Sequence, residues 1–380
     1  MFTVYASTPE NMGPGAIAEH ARRAEAMGFD GLQVPDAIHD GFLLAALALN
    51  ATARLKVLIS VLVAFPRSPM NVALTAWDLQ AMSKGRFELG LGTQIKQNIE
   101  DRYSAMWSAP APRMREYIGA LRAIFDAFQN GTKLSYVSDH YRFTRLQPFF
   151  NPGPIEHPHV PLLMGAVGPG MTALAGEIAD GMITHPTNTP PRYIREVVLP
   201  RLREGAARSG RDLESFKLVL GSLVATGPDA ASVAQEREKW RRMLGFLYST
   251  PAYWPSLELF GWQDRGEQLL AMTRENRWDR MREIIDDEML DAFIPCGTYA
   301  DIPAELERRF GGLSGYITLM MPEDPALDTQ LAAVGGASRG RGDAPRRGGG
   351  GKSGGWGVPR GFLPPLQGQS LRRDRRRDAQ

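Results

Sequence analysis

Cysteine is nearly absent: Cys296 is the only one in 380 residues. An internal disulfide is thereby excluded, and a reducing, cytoplasmic setting is expected. Long apolar runs are missing as well, and no stretch approaches the roughly eighteen uninterrupted apolar residues of a membrane span. The chain runs directly into Phe2-Thr3-Val4-Tyr5 with no basic flank or apolar segment, so no secretory signal is expected. Histidine is scarce, at six residues. His157 and His159 form an isolated pair in a proline-rich loop, without a third ligand at metal-site spacing. There is no Gly-x-Ser-x-Gly elbow, and Cys296 has no adjacent histidine, which removes the common nucleophilic hydrolases. No carboxylate pair recommends glycoside hydrolysis. Chemistry carried by a bound cofactor fits such a chain better than a protein nucleophile.

Excess charge is also lacking over most of the chain. The overall net charge is +2, but residues 335–380 hold ten Arg, one Lys and three Asp, which leaves the remainder at −6. That remainder gives no electrostatic reason to expect a nucleic-acid partner. The last 46 residues include thirteen glycines and almost no aliphatic periodicity. They cannot bury enough surface to offset chain entropy and are expected to be disordered. Residues 1–334 read as one domain and 335–380 as its Gly/Arg-rich tail.

The body is regular. Apolar runs of strand length fall at 3–6, 32–35, 56–63, 87–91, 161–165, 181–185, 216–226 and 315–320. Between them, helical periodicity appears at 15–27, 42–53, 70–83, 115–129, 170–179, 191–209 and 302–310. A loop over 93–113 and a hairpin near 133–143 follow the fourth strand, and mostly helical sequence over 229–290 follows the seventh. Eight βα units predict a (β/α)8 TIM barrel, an α/β fold, with insertions after strands four and seven. A doubly wound open sheet is the alternative, but Ser7-Thr8-Pro9-Glu10-Asn11 after strand one is not its glycine turn.

In a barrel the reacting groups come from the C-terminal ends of strands. Those ends supply Asp36 and His39, Ser60 and Val61, Gly92, Thr93 and Gln94, Gly165 to Gly168, and His185. Asp36 reads either as a partner for a heterocycle N–H and a proton shuttle, or as a cap for the following helix. His185 reads as a ligand contact or as a ring bonded to backbone. The turn at 165–171 offers free N–H groups at a helix start, which suits a phosphate, or else a tight glycine turn. Phe246, Tyr248, Tyr253 and Trp254 could cover a pocket or form the core of an insertion.

Several of these residues sit in longer patterns. Arg67-Ser68-Pro69, the block Ser83-Lys84-Gly85-Arg86-Phe87-Glu88-Leu89-Gly90-Leu91-Gly92, the run Ala175-Gly176-Glu177 with Ala179-Asp180-Gly181, and Gly297-Thr298 occur in order. With them the chain resembles the bacterial luciferase-like flavin and deazaflavin oxidoreductases over about 3–321. Gly92-Thr93-Gln94, His185-Pro186 and the stretch 248–254 resemble the branch that uses coenzyme F420. The resemblance implies a tricyclic ring held at the strand ends, against a bulge with a cis peptide at Ser60–Val61. It implies a phosphate grip at Val167 and Gly168, and Gly92 and Thr93 beside the ring, with Gln94 and His185 adjoining. It implies hydride transfer between F420 and a small organic substrate, with FMN-dependent oxygenation as the alternative, and a homodimer as a candidate assembly. Three positions depart from the family pattern. Ala37 follows Asp36 where many members have histidine, Leu58-Ile59 replaces Gly-Thr, and Ile95 stands where some relatives keep a glutamate. The general acid is therefore unassigned, with Asp36 and the displaced His39 as the catalytic candidates.

Overall fold

The computed structural model describes residues 2–332, so the tail at 335–380 lies outside the described residues. The alternation resolves into β1 (Thr3–Ser7), α1 (Pro14–Ala26), β2 (Gly31–Val34), α2 (Gly41–Ala51), β3 (Lys56–Val63), α3 (Pro69–Ser83) and β4 (Phe87–Gly92). An excursion follows with α4 (Pro110–Asn130) and the hairpin β5 (Tyr136–Val137) and β6 (Arg142–Phe143). The alternation resumes with β7 (Leu162–Gly165), α5 (Pro169–Ile178), β8 (Gly181–Ile183), α6 (Pro191–Tyr193), α7 (Leu199–Ser209) and β9 (Lys217–Leu220). A second excursion holds β10 (Ala225–Gly227), α8 (Ala230–Tyr248), α9 (Pro255–Phe260), α10 (Gln263–Arg274), α11 (Asp287–Phe293) and β11 (Cys296–Thr298). The chain closes with α12 (Ile302–Phe310) and β12 (Tyr316–Met320).

Eight parallel strands form a closed barrel in the order β1, β2, β3, β4, β7, β8, β9, β12 and back to β1. This is the expected (β/α)8 TIM barrel, with insertions after its fourth and seventh strands. Both strand faces are covered, which is why the strands read as continuous apolar runs. Val57, Ile59 and Leu62 face the helices, whereas Tyr5, Leu58, Leu163, Ile183 and Val219 pack inside the barrel. The second insertion has its own core, including Leu244, Tyr248, Leu257, Leu269, Leu290 and Phe293. Among the described residues no helix is long and apolar enough to cross a membrane.

The family motifs have local structural causes. Ser68 caps α3 by accepting from Met70 N–H at 3.3 Å, and Pro69 occupies the first helical position, where its missing N–H costs nothing. Lys84 ends the same helix at φ 55°, followed by Gly85 at φ 84°. The Arg86 guanidinium then donates to the carbonyls of Leu49, Thr52 and Leu55, tying the end of α2 to the start of β4.

Two elements differ from the sequence reading. The run 216–226 is not one strand: β9 stops at Leu220, and β10 pairs instead with β11 in a separate two-stranded sheet. At Gly221 the backbone passes so close to β8 that a Cβ would lie 2.2 Å from the Thr184 carbonyl oxygen. The chain bends there and leaves the barrel. The helix 191–209 contains a wider π turn at Ile194–Val198, just ahead of Pro200, which has no N–H to continue the regular ladder.

Candidate active site

Ladder registers sort the inward side chains into stacked layers, each drawn from alternate strands. Gly31, Glu88, Gly181 and Tyr316 share one layer, and Tyr5, Leu58, Leu163 and Val219 the next. Above them lies a layer of Gln33, Gly90, Ile183 and Thr318. The layer nearest the C-terminal mouth holds Ser7, the Ser60–Val61 turn, Gly165 and Gly221. The base is closed by a polar group: Glu88 accepts from Tyr5 OH at 2.8 Å and from Lys217 Nζ at 2.5 Å. Burial and the Glu88 carboxylate push the Tyr5 phenol well above its ordinary range, so it stays a donor.

The mouth is built differently. The Ser60–Val61 peptide is cis, and the β3–β4 ladder slips between Ile59 and Leu62, at the position where the family resemblance places its bulge. Val61 projects across the β4–β7 wall. A Cβ at Gly92 would lie 2.4 Å from Val61 Cγ2, and one at Gly165 3.0 Å from Val61 Cγ1. A side chain is excluded at Gly92 and crowded at Gly165, which leaves Val61 as a low apolar platform. Past Gly92, Thr93 donates to the Gln94 carbonyl at 3.1 Å. Gln94 sits at φ 60° with its Oε1 accepting from Ile95 N–H and Asn98 Nδ2, so its amide oxygen is held locally.

Val167 and Gly168 link β7 to α5. Gly168 is the N-cap of α5 with no side-chain cap, and a Cβ at Gly168 or Gly170 would meet nothing within 4 Å. Pro169 has no N–H and Thr172 N–H donates to the Gly168 carbonyl, so the first turn of α5 leaves the Gly170 and Met171 N–H groups as its free donors. The neighbouring His185 turn is bound to this loop: Asn188 Oδ1 accepts from His185 N–H at 2.7 Å, and Asn188 Nδ2 donates to the Ala166 carbonyl at 2.8 Å. His185 Nδ1 accepts from Thr187 N–H and lies 2.8 Å from Thr187 Oγ1. That assignment puts the proton of the neutral ring on Nε2. Burial pushes the imidazole down to about 4, so the ring is neutral at physiological pH. Tyr253, from the second insertion, stacks on it with ring centroids 4.6 Å apart.

The remaining sequence candidates separate. The Asp36 carboxylate accepts from Gly41 N–H (3.0 Å), Val63 N–H (2.9 Å) and two Arg67 nitrogens (2.8 and 3.1 Å). It is occupied by four donors, and its cap-like partner Gly41 opens α2. His39 is half-buried against the start of α1, where a Cβ on Gly13 would come 3.4 Å from its Nε2. Of the insertion aromatics only Tyr253 reaches His185. Tyr248 is buried, bonding Ser256 Oγ and the Thr187 carbonyl, Trp254 donates to the Tyr248 carbonyl, and Phe246 is exposed beside Trp278. The first insertion is tied over the β2 and β3 exits by Arg102 to the Ala37 carbonyl (2.7 Å) and Arg113 to the Phe65 carbonyl (3.0 Å).

Sequence reasoning missed Gln33 and Thr318. Both are more than nine-tenths buried, and Gln33 Nε2 and Thr318 Oγ1 have no hydrogen-bond partner. The signal was available: each is a polar residue between aliphatics in a barrel strand, Leu32-Gln33-Val34 and Ile317-Thr318-Leu319.

Comparison with known proteins places the chain in a family and matches its fold. An uncharacterized Mycobacterium tuberculosis protein is 43% identical over 303 residues, covering 79% of this chain and 89% of its own. A putative coenzyme F420-dependent oxidoreductase of the same organism is 29% identical over 302 residues, covering 75% and 84%. The solved coenzyme F420 dependent tetrahydromethanopterin reductase of Methanopyrus kandleri shares the fold with a TM-score of 0.73 at 19% identity, covering 87% of this chain and 97% of that one. The family model described as luciferase-like monooxygenase matches residues 1–312, and the chain belongs to that family.

Proposed function

We propose that the chain is an oxidoreductase that exchanges a hydride between the deazaflavin F420 and a small organic substrate. The observation that carries this reading is the Val61 platform, walled by Gly92 and Gly165 beside the uncapped start of α5. A flat ring needs an apolar surface without bulky neighbours, and its phosphate needs free N–H groups within reach; both are present at one end of the barrel. Buried donors without partners, at Gln33 and Thr318, fit a ligand with a polar edge. The F420-dependent relative supports the choice of cofactor.

In this reading a bound deazaflavin supplies the hydride at its C5. Val61, Gly92 and Thr93 hold the ring, with Ser60 in the supporting turn. Val167 and Gly168 lead into α5, whose Gly170 and Met171 N–H groups would hold phosphate. Neutral His185, fixed by Thr187 and Tyr253, offers a hydrogen bond from Nε2 and carries no proton to give at neutral pH. Asp36 is a positioning residue, locking Arg67 and the exits of β2 and β3. Of the two catalytic candidates read from sequence, His39 is assigned the proton-carrying role, and replacing it with Gln should lower turnover while sparing cofactor affinity. The same seat suits FMN, and the description of the matched family favours that second reading. Titration of purified protein with F420 and with FMN, followed by fluorescence quenching, separates them. F420 binding is expected, and binding of FMN alone would contradict the proposal.

A further inference from the structure

We propose that Gln33 and Thr318 form a recognition floor that reads an uncharged, oxygen-bearing edge of whatever ligand enters the barrel mouth. This deepens the reading above and rests on the mouth being the ligand site. Both residues occupy the same inward layer, on the two strands that flank β1, because Thr318 pairs with Tyr5 and Gln33 with Ser7 two positions further along. Above them the inward positions are Ser7, Gly165, Gly221 and the Ser60–Val61 turn. Val61 lies over Gly90, and the other positions carry little side chain. Gln33 Nε2 and Thr318 Oγ1 are nonetheless buried without partners. Leaving two polar groups in this state costs stability, and apolar side chains of the same shape would avoid it. A ligand that accepts from them recovers the cost on binding.

The chemistry of the partner follows from the donors. An amide N–H₂ requires an acceptor, and a hydroxyl accommodates one. No inward position of this layer or the one above is ionisable, so an anion or cation would be buried without a counter-charge. The matching group is a carbonyl or hydroxyl oxygen. Two sources present it: the dione edge of the ring, and the reacting oxygen function of the substrate.

The test uses full-length Gln33→Leu, Thr318→Val and the double variant, with Thr318→Ser as the control that keeps a hydroxyl. Affinities for F420 and FMN are read by fluorescence quenching. Saturation-transfer NMR reads cyclohexanone and N-methylacetamide against acetate and methylammonium, with and without cofactor. The double variant is expected to keep or raise the melting temperature of the ligand-free protein and to lose about tenfold in affinity. A loss in cofactor affinity assigns the floor to the ring edge. A loss confined to the neutral probes assigns it to substrate. Thr318→Ser should behave as the parent. Unchanged affinities in both arms, or a lowered melting temperature with intact binding, would overturn the inference and leave these residues structural. Equal binding of acetate and cyclohexanone by the parent would overturn the uncharged assignment. Failure of the parent to bind either cofactor would instead sink the reading of the site, while the probes still decide the floor.

Discussion

Asp36 is 4% exposed and takes four donors, so its charge serves the fold before any reaction. Removing it leaves the Arg67 guanidinium, itself 24% exposed, with only Asp40 and the Val63 carbonyl, and leaves two backbone N–H groups unanswered. Asp36→Ala should lower the unfolding free energy by about 3 kcal/mol, measured by urea denaturation. An unchanged midpoint would contradict the positioning role. His185 makes the second prediction at this scale. Its folded value of about 4 lies below the ordinary histidine range, so the unfolded chain binds the extra proton first. Stability is then full above pH ~6.5 and falls as pH drops toward ~4, by at most about 3 kcal/mol from this group. His20, also pushed down by burial, adds in the same direction. His185→Gln should flatten the acid limb of stability against pH without abolishing it, and an unaltered limb would count against the buried, neutral ring.

At the scale of elements, the strand ends decide what the barrel can hold. Gly92 faces Val61 at a distance no Cβ tolerates, and the neighbouring atom is a stiff β-branched methyl. Gly92→Ala should cost about 1–3 kcal/mol, as overpacking does, and weaken F420 binding at least tenfold by tilting the platform. Quenching titrations of the folded variant check this, and parental affinity would refute the platform. The eight barrel strands and their helices were legible in sequence because each is an apolar run ended by glycine, proline or a capping residue. Arg67, Ser68, Pro69, Gly85 and Arg86 were legible as carriers of the family pattern, and in the structure they cap helices and fasten strand ends. Three things were not. The break after Leu220 depends on how close Gly221 passes to Thr184, which is a tertiary distance. The engagement of Asp36 depends on Arg67, thirty-one positions away. Gln33 and Thr318 enter one layer only when β12 and β2 close onto the two sides of β1.

For the whole molecule, closure of the barrel separates two chemistries. The base is a self-satisfied polar group of Tyr5, Glu88 and Lys217, whereas the mouth keeps donors in reserve and a helix start uncapped. In the proposed reading the ligand enters at that mouth. The sequence reads 335–380 as a Gly/Arg-rich tail outside the domain, so a chain ending at 334 should melt at the same temperature and bind cofactor with the same affinity as the full chain. A loss of affinity on truncation would give the tail a functional part. The central claim is that the mouth holds a deazaflavin. Its most direct test is a parallel titration of the intact protein with F420 and FMN under fluorescence detection. Saturable one-to-one quenching by F420 at micromolar concentration or tighter, weakened by Gly92→Ala, is the expected result. Saturation by FMN with no response to F420, or by neither, would contradict it.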